Sequence, residues 1–144
     1  MSDAQTSMRP IGWWLKEADA LLDASFDSAL AGTGVDRRGW QVLASLAARG
    51  PQRQADLVDA LGSFDPPDVL GHVIESLRGR HWVEETEAAL TLTPAGLELH
   101  HTLAPRVAAV RQQVSAALPT DDYLLLTGLL SRLVRALRPA PTQG

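Results

Sequence analysis

The sequence predicts a mainly α-helical chain interrupted once by a small two-stranded β-hairpin. Three observations carry that expectation. Apolar residues recur at three- and four-residue steps through separate stretches on both sides of the hairpin. Gly or Pro punctuates the joints, at Gly32 and Gly34, Gly50 and Pro51, Gly62, Gly79 and Pro119. Between Gly79 and Pro94 the helical period gives way to two short runs of strand-forming residues.

Each element follows in order. Residues 10–31 read as a first helix: Pro10 suits a first turn, and Ile11, Leu15, Ala18, Leu22, Phe26 and Ala29 fall on one face. Asp19, Asp23 and Asp27 make an acidic stripe elsewhere on it, the usual mark of a solvated face. A second helix spans 36–49, with Asp36 as its N-cap and Trp40, Leu43, Leu46 and Ala47 inward. A third covers 52–61, with Ala55, Leu57, Val58 and Leu61 inward. A turn at Ser63, Phe64, Asp65 and Pro66 leads to a fourth, 67–78, with Leu70, Val73, Ile74 and Leu77 in period. Residues 81–84 and 89–92 are the strands, joined by an acidic turn at 85–88. Thr93 followed by Pro94 is a cap with proline at the first helical position, opening a long helix to about residue 118. Leu103, Val107, Val110, Val114 and Leu118 form its stripe, and Pro105 removes one of its hydrogen bonds, which predicts a kink. Thr120 is read as the cap of the last helix, with Asp121 and Asp122 at its positive end and Arg132, Arg135 and Arg138 toward its negative end. That helix is apolar over more of its circumference than one stripe requires, which predicts a second partner, most simply another copy of the chain. The residues after Pro139 read as a loose tail.

The 144 residues are expected to form a single domain, 1–144, large enough for a core without metals or disulfides. Hydrophobic residues make up 45 %, and no stretch reaches the roughly 20 apolar residues of a membrane span. The first nine residues are polar and lack the apolar run of a secretory signal. Cysteine is absent, which excludes a disulfide scaffold, a thiolate metal site and a cysteine nucleophile. There is no glycine-rich phosphate loop, no Gly-x-Ser-x-Gly elbow and no His-Glu-x-x-His pair, so no catalytic residue, metal ligand or cofactor is assigned.

The order helix-turn-helix, hairpin, long helix is that of a winged helix-turn-helix framed by terminal helices. On specific residues the chain resembles the multiple-antibiotic-resistance regulator (MarR) family. They are Gly39-Trp40-Gln41-Val42-Leu43, then Gln54-Ala55-Asp56-Leu57 with Ala60-Leu61-Gly62, then Leu92-Thr93-Pro94-Ala95-Gly96. The resemblance covers residues 10–137. It implies a homodimeric, cytoplasmic transcriptional regulator, with residues 8–31 and 94–138 as dimerisation helices and 36–93 as the DNA-binding lobe. It also implies reading of successive major grooves of a palindromic site, and control by small aromatic effectors held between the dimerisation helices and the lobe.

The sequence departs from the family at its reading head. The stretch 62–77 is about two residues longer than usual. Pro67, Asp68, Gly71 and His72 stand where the family commonly presents small hydroxyls and an arginine. The wing carries Glu84, Glu85 and Glu87 in place of an arginine run. Formal charge is −4, and all of it falls between residues 36 and 100, where ten carboxylates face six arginines. Phosphate binding rests on cationic groups, so DNA affinity is expected to be weak and highly salt-dependent. The available donors are Arg53, Gln54, His72, Arg78 and Arg80.

Four tryptophans are many for this length. Core packing accounts for Trp40 and Trp82. Trp13 and Trp14 are neighbours and point about 100° apart on a helix, so one of them can line a pocket or a dimer seam. His100 and His101 are either solvated or supply a donor to a carboxylate or phenolate ligand. The expected ligand pocket therefore lies between the first, second and fifth helices and uses Trp13, Trp14, Trp40 and His100. Two functions stay open on the residues alone. One is a ligand-responsive regulator that binds DNA as a homodimer. The other is a scaffold without DNA binding that acts on or holds a small molecule through its pocket.

Overall fold

A computed structural model describes residues 8–61 and 67–140. The turn expected at Ser63 to Pro66, the first seven residues and the end of the tail lie outside the described residues. Among those described there are six helices and one antiparallel hairpin: α1 (Ile11–Ala29), α2 (Arg37–Arg49), α3 (Gln54–Leu61), α4 (Pro67–Gly79), β1 (Val83–Thr86), β2 (Ala89–Leu92), α5 (Pro94–Ala117) and α6 (Thr120–Leu137). The chain separates into two compact units, Met1–Val107 and Ala108–Gly144.

The first unit holds the core. Trp40, Leu43 and Leu46 of α2 meet Leu57 of α3, Leu70, Ile74 and Leu77 of α4, Val83 and Leu90 of the hairpin, and Leu103 and Val107 of α5. The helical members of this core are residues whose three- and four-residue spacing marked the helices. Asp36 caps α2 as expected: its Oδ1 accepts the Gly39 N–H at 2.8 Å. Thr93 caps α5 in the same way, its Oγ1 accepting the Gly96 N–H at 3.0 Å. No residue of α1 is buried; Phe26, near its end, packs against the core.

Four expectations are corrected. Gln52 is not helical: it forms an antiparallel bridge with Leu90, giving and receiving one backbone hydrogen bond, so α3 starts two residues later than read. Ala55 is exposed, because α3 is short and only Leu57 of it is buried. The hairpin also starts two residues later, pairing Val83 with Leu92 and Thr86 with Ala89 around a two-residue turn. His81 causes that delay: it takes a left-handed backbone (φ 63°) and its carbonyl accepts the Thr93 hydroxyl at 2.6 Å. Thr120 lies inside α6, whose N-cap is Pro119 and makes no side-chain cap.

The second unit contains the end of α5 and α6. Asp121 and Asp122 occupy the first turn of α6 and Arg135 its last, the favourable sense for the helix dipole. No residue of α6 is buried, and Leu125 and Leu137 are 63 % and 73 % exposed. No helix of the described residues is long and apolar enough to cross a membrane.

Candidate functional site

Helices α3 and α4 pack as a pair and carry the residues expected to meet DNA. Leu70, Ile74 and Leu77 anchor α4 in the core, which turns Asp68, Val69, His72 and Glu75 outward. Arg53 is exposed just before α3, and its carbonyl accepts the Leu57 N–H at 3.1 Å. Gln54, the first residue of α3, reaches α4: its Nε2 lies 3.8 Å from where a Cβ on Gly71 would stand. Gln54 and His72 are both exposed on this pair of helices. The His72 Nδ1–H donates to the Asp68 carbonyl at 2.9 Å, which leaves Nε2 as a lone-pair acceptor in the neutral ring.

Arg78 and Arg80 are occupied within the protein. The Arg78 guanidinium pairs with Glu75 at 3.1 Å and with Glu85 of the wing at 3.4 Å. Arg80 lies 5.3 Å from the centre of the Trp82 ring and against Gly34, where an added Cβ would overlap its Nη1. Gly34 also has φ 78°, a backbone that favours glycine, whereas the flexible end of Arg80 could move aside. Arg37 is held as well, by Asp23 at 2.7 Å and Asp19 at 3.4 Å. The wing adds no cation. Glu84, Glu85 and Glu87 are exposed, and the Glu87–Ala88 turn has φ of 54° and 64°.

The four residues expected at the ligand site form two pairs. Trp40, 4 % exposed, stacks flat on His100 with ring centres 4.9 Å apart and planes 2° apart. Trp40 Nε1 and His100 Nδ1 are both buried and have no hydrogen-bond partner among the described residues. An orphaned buried polar group costs about 1–3 kcal/mol, so two in one stack mark a place where a ligand or water can be gained. Burial, and secondarily the neighbouring His101, hold His100 below the ordinary histidine range. Trp13 and Trp14 meet edge to face at 4.7 Å, with the Arg9 guanidinium 4.0 Å over Trp13. The structure thus joins two of the four expected ligand residues, Trp40 and His100, and pairs the other two with each other.

A cleft that the sequence did not announce lies elsewhere. It is open, about 490 Å³ in volume, and bounded by Asp27 and Leu30 at the end of α1, Gly34 and Asp36 in the following loop, and His72 and Ser76 on α4. Asp27 had only the pattern of a solvated acidic stripe, and nothing in local period ties it to α4. His72 is the one expected site residue that faces this cleft. Among the described residues no group of three or more His, Asp or Glu is placed to hold a metal ion.

Solved structures share this architecture. Bordetella bronchiseptica BpsR, whose DNA binding is regulated by 6-hydroxynicotinic acid, is 22 % identical, with a TM-score of 0.74 over 88 % of this chain and 95 % of its own. A probable transcriptional regulator from Pseudomonas aeruginosa is 25 % identical, with a TM-score of 0.72 over 85 % of this chain and 96 % of its own. Reduced MarR from E. coli is 19 % identical, with a TM-score of 0.70 over 92 % and 99 %. No protein-family model and no curated protein matches the chain. The fold is the winged helix of the MarR-family transcriptional regulators.

Proposed function

We propose that this MarR-type winged helix is a ligand-responsive transcriptional regulator that binds DNA as a homodimer in the cytoplasm. The observation that carries the reading is the α3–α4 pair, anchored by its buried leucines, with Arg53, Gln54 and His72 exposed on it. A helix held in this way can enter a major groove. Arg53 serves as the phosphate contact, and Gln54 and His72 as candidates for base edges. Dimerisation through residues 8–31 and 94–138 is supported by what those segments leave uncovered. Ile11, Trp14, Leu15 and Leu21 of α1 are exposed, as are Leu124, Leu125, Leu129 and Leu137 of α6. A small aromatic ligand has its place at Trp40 and His100, where an acceptor group on it would take the orphaned Trp40 Nε1–H; Trp13 and Trp14 supply further aromatic surface on α1. BpsR, whose DNA binding answers to an aromatic acid, is a precedent for such control.

A second reading, a pocket protein that has given up DNA, is favoured by one observation. Arg78 and Arg80 are engaged within the protein, and the wing is acidic. Fluorescence anisotropy on labelled DNA from the region upstream of the chain's own gene decides between them. The regulator reading expects saturable binding that a planar aromatic acid changes, with quenching of tryptophan emission and a raised melting temperature. Quenching without any DNA binding would transfer the function to the pocket alone.

A further inference from the structure

The cleft between the end of α1 and α4 has a chemistry opposite to that of an acid-binding pocket. Its floor is apolar, built from Leu30, Val35, Val73 and Leu77. Its polar edge is Asp27, Asp36, His72 and Ser76, and no lysine or arginine lines it. The Asp36 Oδ1 is used by the α2 cap, which leaves Oδ2. Asp27 has no ion pair or hydrogen bond among the described residues. His72 spends its Nδ1–H on the Asp68 carbonyl, so the nitrogen it can offer is an acceptor. Arg80 borders the cleft at Gly34, with its guanidinium 5.3 Å from the centre of the Trp82 ring. The edge is therefore all acceptors and one hydroxyl, with two carboxylates, above an apolar floor. A volume of about 490 Å³ falls within the range of about 300–1,000 Å³ of small-molecule sites.

We propose that this cleft binds a small organic cation, an amidinium or ammonium group on an apolar body, with Asp27 as its principal counter-ion. The charged head donates to Asp27 and to His72 Nε2, and the body lies on Val73 and Leu77. One wall is α4, which carries His72, so occupancy ties His72 to the ligand and stiffens α4. The site is separate from the Trp40–His100 stack and selects ligands of the opposite charge. Its existence does not depend on whether the chain binds DNA.

Isothermal titration calorimetry of the full chain with benzamidine tests the assignment, with benzoate as the control of opposite charge. Hydrogen exchange of α4 reports where the ligand sits. The expected result is saturable benzamidine binding that slows exchange in α4. Asp27→Asn should weaken it by about tenfold, the scale of one charge-assisted contact. Ser76→Phe, which fills the cleft and leaves every charge in place, should abolish it. Both positions are exposed, so the variants should fold; melting curves confirm that. No saturable binding by the wild type overturns the proposal, and so does binding that both variants retain.

Discussion

At the residue scale, Gly96 shows how a short motif acquires its sequence. It is buried at the start of α5, and a Cβ there would overlap the Trp82 backbone carbonyl. That same carbonyl accepts the Thr93 N–H at 3.0 Å, so the end of the wing and the start of α5 are drawn onto one backbone atom. The cap, Thr93 with Pro94, was legible in sequence because capping is local. The need for glycine at 96 was not, because it arises from a strand that folds back from fourteen residues earlier. Gly96→Ala should destabilise the chain by about 1–3 kcal/mol, the usual cost of overpacking, seen as a lower urea midpoint. Gly12→Ala, in open space on α1, should be neutral or slightly stabilising.

His100 makes a second residue-scale prediction. Burial first, and His101 second, depress its pKa in the folded state. The unfolded chain therefore binds a proton more readily, and its ordinary value is about 6.5. The stability this residue contributes is present above that value and is lost as pH falls through and below it. Urea midpoints should drop between roughly pH 7.5 and pH 5, and His100→Phe, which keeps a ring over Trp40, should flatten that drop. An unchanged slope in the variant would assign the effect to other groups. The sequence assigned Trp40 and His100 to one expected pocket, with Trp13 and Trp14, but not to a direct stack. Their stacking needed α2 and α5 to be brought together, which no local spacing encodes.

At the scale of elements, period and punctuation were enough for the order and type of all six described helices and the hairpin. Except at Thr120, where the cap is displaced by one residue to Pro119, the boundary errors fall where a longer-range contact or turn decides. Gln52 leaves α3 to bridge to Leu90, and His81 turns left-handed so that β1 begins at Val83. The acidic stripe of α1 is likewise only partly a solvated face: Asp19 and Asp23 hold Arg37, and Asp27 edges the cleft. Helix α6 carries the prediction at this scale. Its exposed leucines are each worth roughly 1.5–3 kcal/mol if buried in a dimer. Light scattering should give twice the 15.5 kDa of one chain at micromolar concentration. Leu125→Asp, at a position 63 % exposed in the single chain, should weaken that association without a need to disturb the first unit's core. A well-folded wild-type monomer at that concentration would refute the dimer.

At the scale of the whole molecule, fold and charge pull in different directions. The winged helix supplies a rigid α3–α4 pair with exposed Arg53, Gln54 and His72. The lobe together with the first turns of α5, residues 36–100, holds the chain's entire net charge of −4, and three of its arginines are tied to carboxylates or to an aromatic ring. With Arg78 and Arg80 engaged, affinity must come from few phosphate contacts and from shape and base edges, so the steep salt dependence expected from the sequence gives way to a shallow one. Each neutralised phosphate contributes about −0.9 to the slope of log K against log salt. The most direct test is salt-titrated binding to DNA from upstream of the chain's own gene, with scrambled DNA alongside, for the wild type and Arg53→Ala. Preference for the native sequence, with a slope that Arg53→Ala lowers by about one on both DNAs, is the predicted result. No binding to either DNA at low salt, where attraction is least screened, would contradict the regulator account.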